Sequence, residues 1–344
     1  MANPLLQQPP LRFLGLMTAL VLLIVAGICL LPHSRLVRFS SLPEPAVTKA
    51  GWIYERIHDD QTPLDVVFIG TSRTVFGVDS ARVETDYRQN TGHDLHVVNF
   101  ALQHLGRDLH YLLAREALLN RAVKLLVVEV TEDEPRDLHP AFAPLADAED
   151  IIFAPIFINV SYFSNLGQLP LRQAQRCLRS AMPALFGATA TFAPATYRGA
   201  HWDDSYAAIG SYDHPITPVI PRLQTNTAAE LEQQRLQAAR TVARKLTLPP
   251  PFNQWERRAN LSYVRAIAEL ARKQGVAVRF LYMPQYVATI PQASAFYLEY
   301  GPIWSPGPVI ADTRFWLDIN HLNYAGAQAL APWLAGQIAA TLPQ

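Results

Sequence analysis

The chain is short of cysteine and of net charge, and both shortages exclude something. Only two cysteines occur in 344 residues, Cys29 inside an apolar run and Cys177 far downstream. A pair so placed argues against a structural disulfide and leaves the redox compartment open. Lysine plus arginine and aspartate plus glutamate number 29 each, so the formal charge is zero. No global basic field exists to hold phosphate backbones or an anionic membrane surface, and nucleic acid is not an expected partner. Internal repeats and low-complexity tracts are also missing. The 27 prolines fall between candidate elements, which reads as long ordered loops rather than disorder. What is abundant is apolar surface: at 50% hydrophobic residues the chain can bury a full core, in one large domain or two small ones.

The first long apolar run, FLGLMTALVLLIVAGICLL from Phe13 to Leu31, carries no charge. Roughly 20 apolar residues are what an α-helix needs to cross the hydrocarbon core, so 13–32 is a transmembrane candidate behind a short tail, 1–12. A cleaved signal peptide is the competing reading. Against it, the run exceeds the usual apolar region of roughly 7–15 residues, and Pro32-His33-Ser34-Arg35 lacks a small-x-small cleavage pattern. Arg12 on one side faces Arg35 and Arg38 on the other, so the flanking charges do not settle topology.

Residues 33–60 read as a juxtamembrane linker with a short amphipathic helix over 46–57. Compact apolar runs at 64–69, 95–100 and 124–130 then alternate with helical stretches over 79–90 and 107–120. The alternation lapses between about 135 and 252, where aromatic and proline-rich stretches precede a polar helix over 227–245, and this segment reads as an insertion. It resumes with a helix over 255–274, a strand over 276–282, a short apolar segment running into Val309-Ile310 and a last helix over 324–342. The expected class is α/β, a doubly wound parallel sheet in a three-layer sandwich spanning 61–344 as one domain, with the N-terminal helix and central insertion added. In such sheets functional residues stand just after the strands' carboxyl ends.

Two motifs stand at such places. Gly70-Thr71-Ser72-Arg73-Thr74 follows the first strand, where glycine permits a tight turn and the serine hydroxyl faces the pocket. Taken alone, a serine there more often serves as a helix cap. Near the other end, Asp318-Ile319-Asn320-His321-Leu322-Asn323 precedes the final helix. The spacing lets a carboxylate orient a neighbouring imidazole, which can then take a serine proton. The alternative is that Asp318 and Asn323 cap the helix and His321 is a surface residue.

Together, G-x-S after the first strand and D-x-x-H-L-N before the last helix resemble the first and last sequence blocks of the SGNH (GDSL-like) hydrolase superfamily. The likeness covers roughly 64–131 and 255–342. It implies Ser72 as nucleophile, His321 as general base and Asp318 as its orienter. It also implies an oxyanion hole built from the N–H groups of Ser72 and Gly106, the glycine after the second strand, although Gly106 also reads as a helix-start glycine. The family's third block supplies an asparagine donor; here Val128-Glu129-Val130-Thr131-Glu132-Asp133-Glu134 has none. Either Thr131 or another group replaces it, or the hole has fewer donors, and one lost donor costs roughly 10²–10³ in rate. Arg73 is a candidate substrate contact, with structural pairing as the alternative. The carboxylates of 129–134 lack nearby histidine ligands, so no metal is expected, and no cofactor either.

Within the superfamily the chain is similar to the bacterial branch with one anchor and G-[ST]-S-R, which includes proteins of exopolysaccharide O-acetylation and D-alanyl transfer. That resemblance implies an inner-membrane protein with its catalytic domain outside the cytoplasm. It would be an O-acetyltransferase or O-acetylesterase with an acyl donor, a cell-envelope glycan acceptor and a membrane-bound O-acyltransferase as partner. The rivals are a non-catalytic assembly or glycan-binding subunit, and a tethered lipid esterase or thioesterase.

Overall fold

The structure, a computed structural model, describes residues 10–42, 49–134, 136–202, 225–243, 247–249, 251–288 and 293–342. The elements in chain order begin with α1 (Pro10–Cys29), α2 (Arg35–Ser40), α3 (Lys49–His58), β1 (Val66–Ile69), α4 (Ser72–Gly77) and α5 (Ser80–Thr91). Next come β2 (Val97–Asn99), α6 (Arg107–Asn120), β3 (Leu125–Val130), α7 (Phe142–Leu145), α8 (Ala148–Ile152) and α9 (Tyr162–Ala181). The chain continues with α10 (Ala228–Ala243), α11 (Arg258–Lys273), β4 (Ala277–Tyr282), α12 (Ser294–Leu298), β5 (Ile303–Trp304) and α13 (Tyr324–Thr341).

The five strands form one sheet in the order β2-β1-β3-β4-β5, every neighbouring pair parallel. Alternate residues serve opposite faces. Val67, Ile69, Leu126 and Val128 join the core under α3, α6 and α11, whereas Val66, Phe68, Leu125 and Val127 join the core under α5 and α13. Burial on both faces explains why these strands read as unbroken apolar runs. Helix ends follow local chemistry: Asp79 caps α5 by accepting from Arg82 N–H at 3.0 Å, and Gly92 ends it at φ 76°. The chain reverses its order at β1, which lies between β2 and β3, and an open parallel sheet forms its crevice at such a point.

Two expectations move. The fifth strand is Ile303–Trp304, paired with Phe280 and Leu281, and Val309-Ile310 lies in a turn that buries Ile310 in the core. The helix expected over 46–57 is described from Lys49 to His58, and 46–48 lie outside the described residues. Helices α2 and α3, in the stretch read as a linker, bury Phe39, Trp52, Ile53 and Ile57 in the α6-side core.

Helix α1 stands apart. Its 20 residues give a length of about 30 Å at 1.5 Å per residue, matching the hydrocarbon thickness of a bilayer. Among the described residues it is one helix long and apolar enough to cross a membrane, and its apolar stretch Arg12–Cys29 is exposed, as in a membrane anchor or a signal sequence.

Candidate active site

Ser72 is the first residue of α4, immediately beyond β1. The helix cap is its neighbour Thr71, whose hydroxyl accepts from Arg73 N–H at 3.2 Å. The turn is held from below by Glu129 on β3. Its buried carboxylate accepts from Thr71 N–H and Thr71 Oγ1, both at 2.7 Å, from Thr74 N–H at 3.1 Å, and from Thr74 Oγ1. Gly70 is required by this approach: a Cβ there would lie 2.2 Å from Thr74 Oγ1 and 2.5 Å from Glu129 Oε2. The first N–H groups of a helix have no intrahelical partner. In α4 those of Arg73 and Thr74 are taken by Thr71 and Glu129, which leaves that of Ser72.

The loop before α13 is closed by an antiparallel bridge between Trp316 and Leu322. Asn323 caps α13, accepting from Gly326 N–H at 3.0 Å, and Gly326 lies so near Phe315 O that a Cβ would come within 2.4 Å. Asp318 does not cap. Its carboxylate accepts from the N–H groups of Asn320 (2.7 Å) and His321 (3.0 Å) and meets His321 Nδ1 at 2.8 Å. Burial raises the Asp318 pKa, but the His321 side chain and these N–H groups outweigh burial, so the carboxyl sits below its ordinary value. His321 Nε2 lies 2.7 Å from Ser72 Oγ across 249 residues of sequence, and the Phe76 ring packs beside the imidazole at 4.8 Å. An ionised carboxylate only accepts, so Nδ1 carries the imidazole proton and Nε2 presents its lone pair to the serine hydroxyl. This chain of groups can accept the Ser72 proton and stabilise the resulting imidazolium.

Ser72 and His321 open onto a cavity of about 650 Å³ whose lining includes the charged residues Arg73, Glu132, Asp133, Arg136, Glu256 and Arg257. Arg73 stands in the wall and is paired: Nη1 donates to Glu132 and to Met283 O, both at 2.7 Å, and Nη2 reaches Asn320. It thereby ties the serine turn to the end of β4 and to the histidine loop. The acidic run on and after β3 is engaged residue by residue. Beyond Glu129 and Glu132, Asp133 pairs with Arg257 at 2.8 Å, and Glu134 takes Arg107 Nε at 2.9 Å in a buried pair. Thr131 donates its hydroxyl proton to Asp133 O at 3.0 Å, so that proton is engaged within its own loop.

Gly106 caps α6 and packs against His139, whose backbone N a Cβ would meet at 2.3 Å. The cavity wall from this loop is formed by His104, at φ 71°, and Leu105. His139 brackets the loop: Nε2 donates to Gln103 O at 2.6 Å while Nδ1 accepts from Ala141 N–H, and burial lowers its pKa to about 4. Behind it, Asp108 accepts from His139 N–H at 3.0 Å, its second oxygen has no partner, and burial raises its pKa to about 7. The structure thus gathers Ser72, Arg73 and His321 at one cavity, with Asp318 bonded to the far side of His321 and Gly106 just behind the wall. Glu129 was weighed in the sequence only as part of an acidic run, and its place beneath the serine turn and the part of His139 escaped that reading because neither has motif spacing; a carboxylate inside a buried strand was the available signal.

No protein-family model matches the chain, and no curated protein matches it significantly. The fold and the site define an α/β domain with an all-parallel five-stranded sheet, an architecture compatible with hydrolase-like folds.

Proposed function

We propose that this chain is a membrane-anchored serine acyl-transfer enzyme of the SGNH type, an O-acetyltransferase or O-acetylesterase acting on a cell-envelope polysaccharide. The observation that carries the reading is the hydrogen-bonded series Ser72, His321, Asp318, of which Ser72 and His321 line a cavity. Ser72 Oγ attacks the acyl carbonyl as its proton passes to His321 Nε2. The tetrahedral oxyanion is held by the N–H groups of Ser72 and of the loop ending at Gly106. Collapse leaves an acyl-serine as His321 returns the proton to the leaving group, and a sugar hydroxyl or water then resolves it. The charged side chains in the lining suit a hydrophilic acceptor, whereas a tethered lipid esterase would be expected to process long-chain esters. Anchoring by α1 in a bacterial inner membrane, with the domain outside the cytoplasm, would raise its effective concentration near a membrane-bound acyl donor system.

A second reading, a non-catalytic assembly or glycan-binding subunit, is favoured by the engaged Thr131 hydroxyl where the family has an asparagine donor. Short-chain aryl-acetate turnover and mass labelling by a serine-reactive phosphonate separate the two. Labelling and turnover in the wild type that disappear in Ser72→Ala and His321→Ala are expected of the enzyme. A folded wild type that neither labels nor turns over would transfer support to the subunit.

A further inference from the structure

A second cavity, of about 170 Å³, lies where the domain meets α1. Its walls are α2, the end of α7 and α9, and they bring Arg38, Arg172, Arg176 and Arg179 to one place. Asp147, paired with Arg38, is the carboxylate bonded to this group, and Arg172, Arg176 and Arg179 have no acidic partner among the described residues. Arg176 is buried and spends its donors on Ala143 O and Pro144 O, at 2.9 and 2.7 Å. Arg38 Nε and Arg172 Nη1 are buried without an acceptor among the described residues. Buried guanidinium donors without acceptors are costly, which makes the cavity a receptor for an anion bearing several oxygens. Burial and then the charges of Arg38 and Arg172 lower the Arg176 pKa to about 9, and burial with Arg38 and Arg176 lowers that of His33. Among the described residues Asp147 alone offsets these four arginines, although the chain as a whole is neutral.

The position says which anion. Earlier on α9, Leu166, Leu169 and Pro170 form an apolar groove against Val25, Ala26 and Cys29 of α1 and the following Leu30. Val25 lies about 6 Å inside the end of α1 at Cys29, within the roughly 5–10 Å to which interfacial helices bury their apolar faces. The same surface exposes Ile152, Phe153, Ile156, Phe157, Val160 and Phe163 around the α8–α9 connection. Arg172, Arg176 and Arg179 follow this apolar zone along α9 by about two helical turns, or about 11 Å, beyond a groove that itself lies inside the end of α1, which sets the cavity at the depth of lipid headgroups.

We propose that Arg38, Arg172, Arg176 and Arg179 bind the phosphate of an anionic phospholipid, with its acyl chains along the groove between α1 and α9. The proposal rests on α1 being retained as a membrane helix. Bound there, the lipid neutralises the arginines and fixes the angle between α1 and the domain, and hence the height of the Ser72 cavity above the bilayer.

The test uses the full-length chain in detergent micelles and native mass spectrometry with added phosphatidylglycerol, phosphatidylcholine or inorganic phosphate. Arg172→Gln/Arg179→Gln is the preferred variant because neither side chain supports a backbone carbonyl, and Arg88→Gln/Arg235→Gln on distant exposed surfaces is the control. Wild type and control should retain phosphatidylglycerol selectively, and the double variant, folded by circular dichroism, should bind it about thirtyfold more weakly from the loss of two cations. Equal retention by wild type and variant overturns the site. Inorganic phosphate competing as effectively as the lipid overturns the lipid assignment in favour of a soluble anion. A purified mass lacking the α1 segment overturns the anchor as well, whereas a full-length mass without selective adducts overturns the lipid site alone.

Discussion

Replacing Glu129 with glutamine tests the claim that a buried carboxylate shapes the nucleophile turn. Oε2 accepts three hydrogen bonds, from Thr71 N–H, Thr74 N–H and Thr74 Oγ1, and Oε1 accepts one from Thr71 Oγ1. Hydrogen bonds to charged groups are worth about 1.5–3 kcal/mol and neutral ones about 0.5–1.5, so each of the three kept by the amide oxygen weakens by about 1 kcal/mol. The fourth must reverse, with the Thr71 hydroxyl accepting from the new amide while it also accepts from Arg73 N–H. A neutral amide is easier to bury than a carboxylate, which offsets part of the loss. The net expectation for Glu129→Gln is a destabilisation of about 2–3 kcal/mol by urea denaturation of the full-length chain in micelles, followed by tryptophan fluorescence.

Activity should fall further than stability implies. Ser72 Oγ lies 2.7 Å from His321 Nε2, and a shift of about 1 Å in a reacting group can cost about 10²-fold. The loss should appear in kcat for aryl acetate, with KM little changed, because the cavity wall is untouched. A cycle with Thr74→Val, which removes one donor to Oε2, should return a coupling of about 1 kcal/mol. A Glu129→Gln protein within about 0.5 kcal/mol of wild type and with unchanged kcat would refute the cradle.

Three further outcomes follow from the same geometry. Asp318→Asn should leave the fold intact and lower kcat by about 10³–10⁴-fold, because an amide donor facing His321 Nδ1 selects the wrong tautomer; retention of activity in an aryl-acetate assay would contradict the proton path. Gly106→Ala should destabilise by about 1–3 kcal/mol in urea melts, since its Cβ would press on the His139 backbone rather than on a side chain that can turn away. Asp108 concerns pH. Its folded pKa of about 7 stands above the unfolded value, so from about pH 4 to 7 the folded state holds more protons and stability falls as pH rises. Asp108→Asn should flatten that decline by an amount on the order of a few kcal/mol, read from urea midpoints at pH 5 and 8. An unchanged slope would place the titrating group elsewhere.

Much of the architecture was written locally. Strands buried on both faces must be apolar at every position, and helices packed on one face must show a 3.6 period, so the alternation of elements is visible without any tertiary knowledge. Ser72 and the Asp318-His321 pair were visible for the same reason, since a turn after a strand and a three-residue spacing before a helix are local features. The short β5 was not, because two residues, Ile303 and Trp304, carry no period and become a strand only by pairing with β4. Composition and spacing determined the class of fold, the apolar helix and which residues to inspect. Tertiary packing alone decided that Ser72 meets His321 across 249 residues, that Glu129 lies beneath the serine turn, that Arg73 is bound to Glu132 and Met283, and that Gly106 backs onto His139. These are contacts between groups distant in sequence, and such contacts depend on how the layers close, which no local pattern encodes.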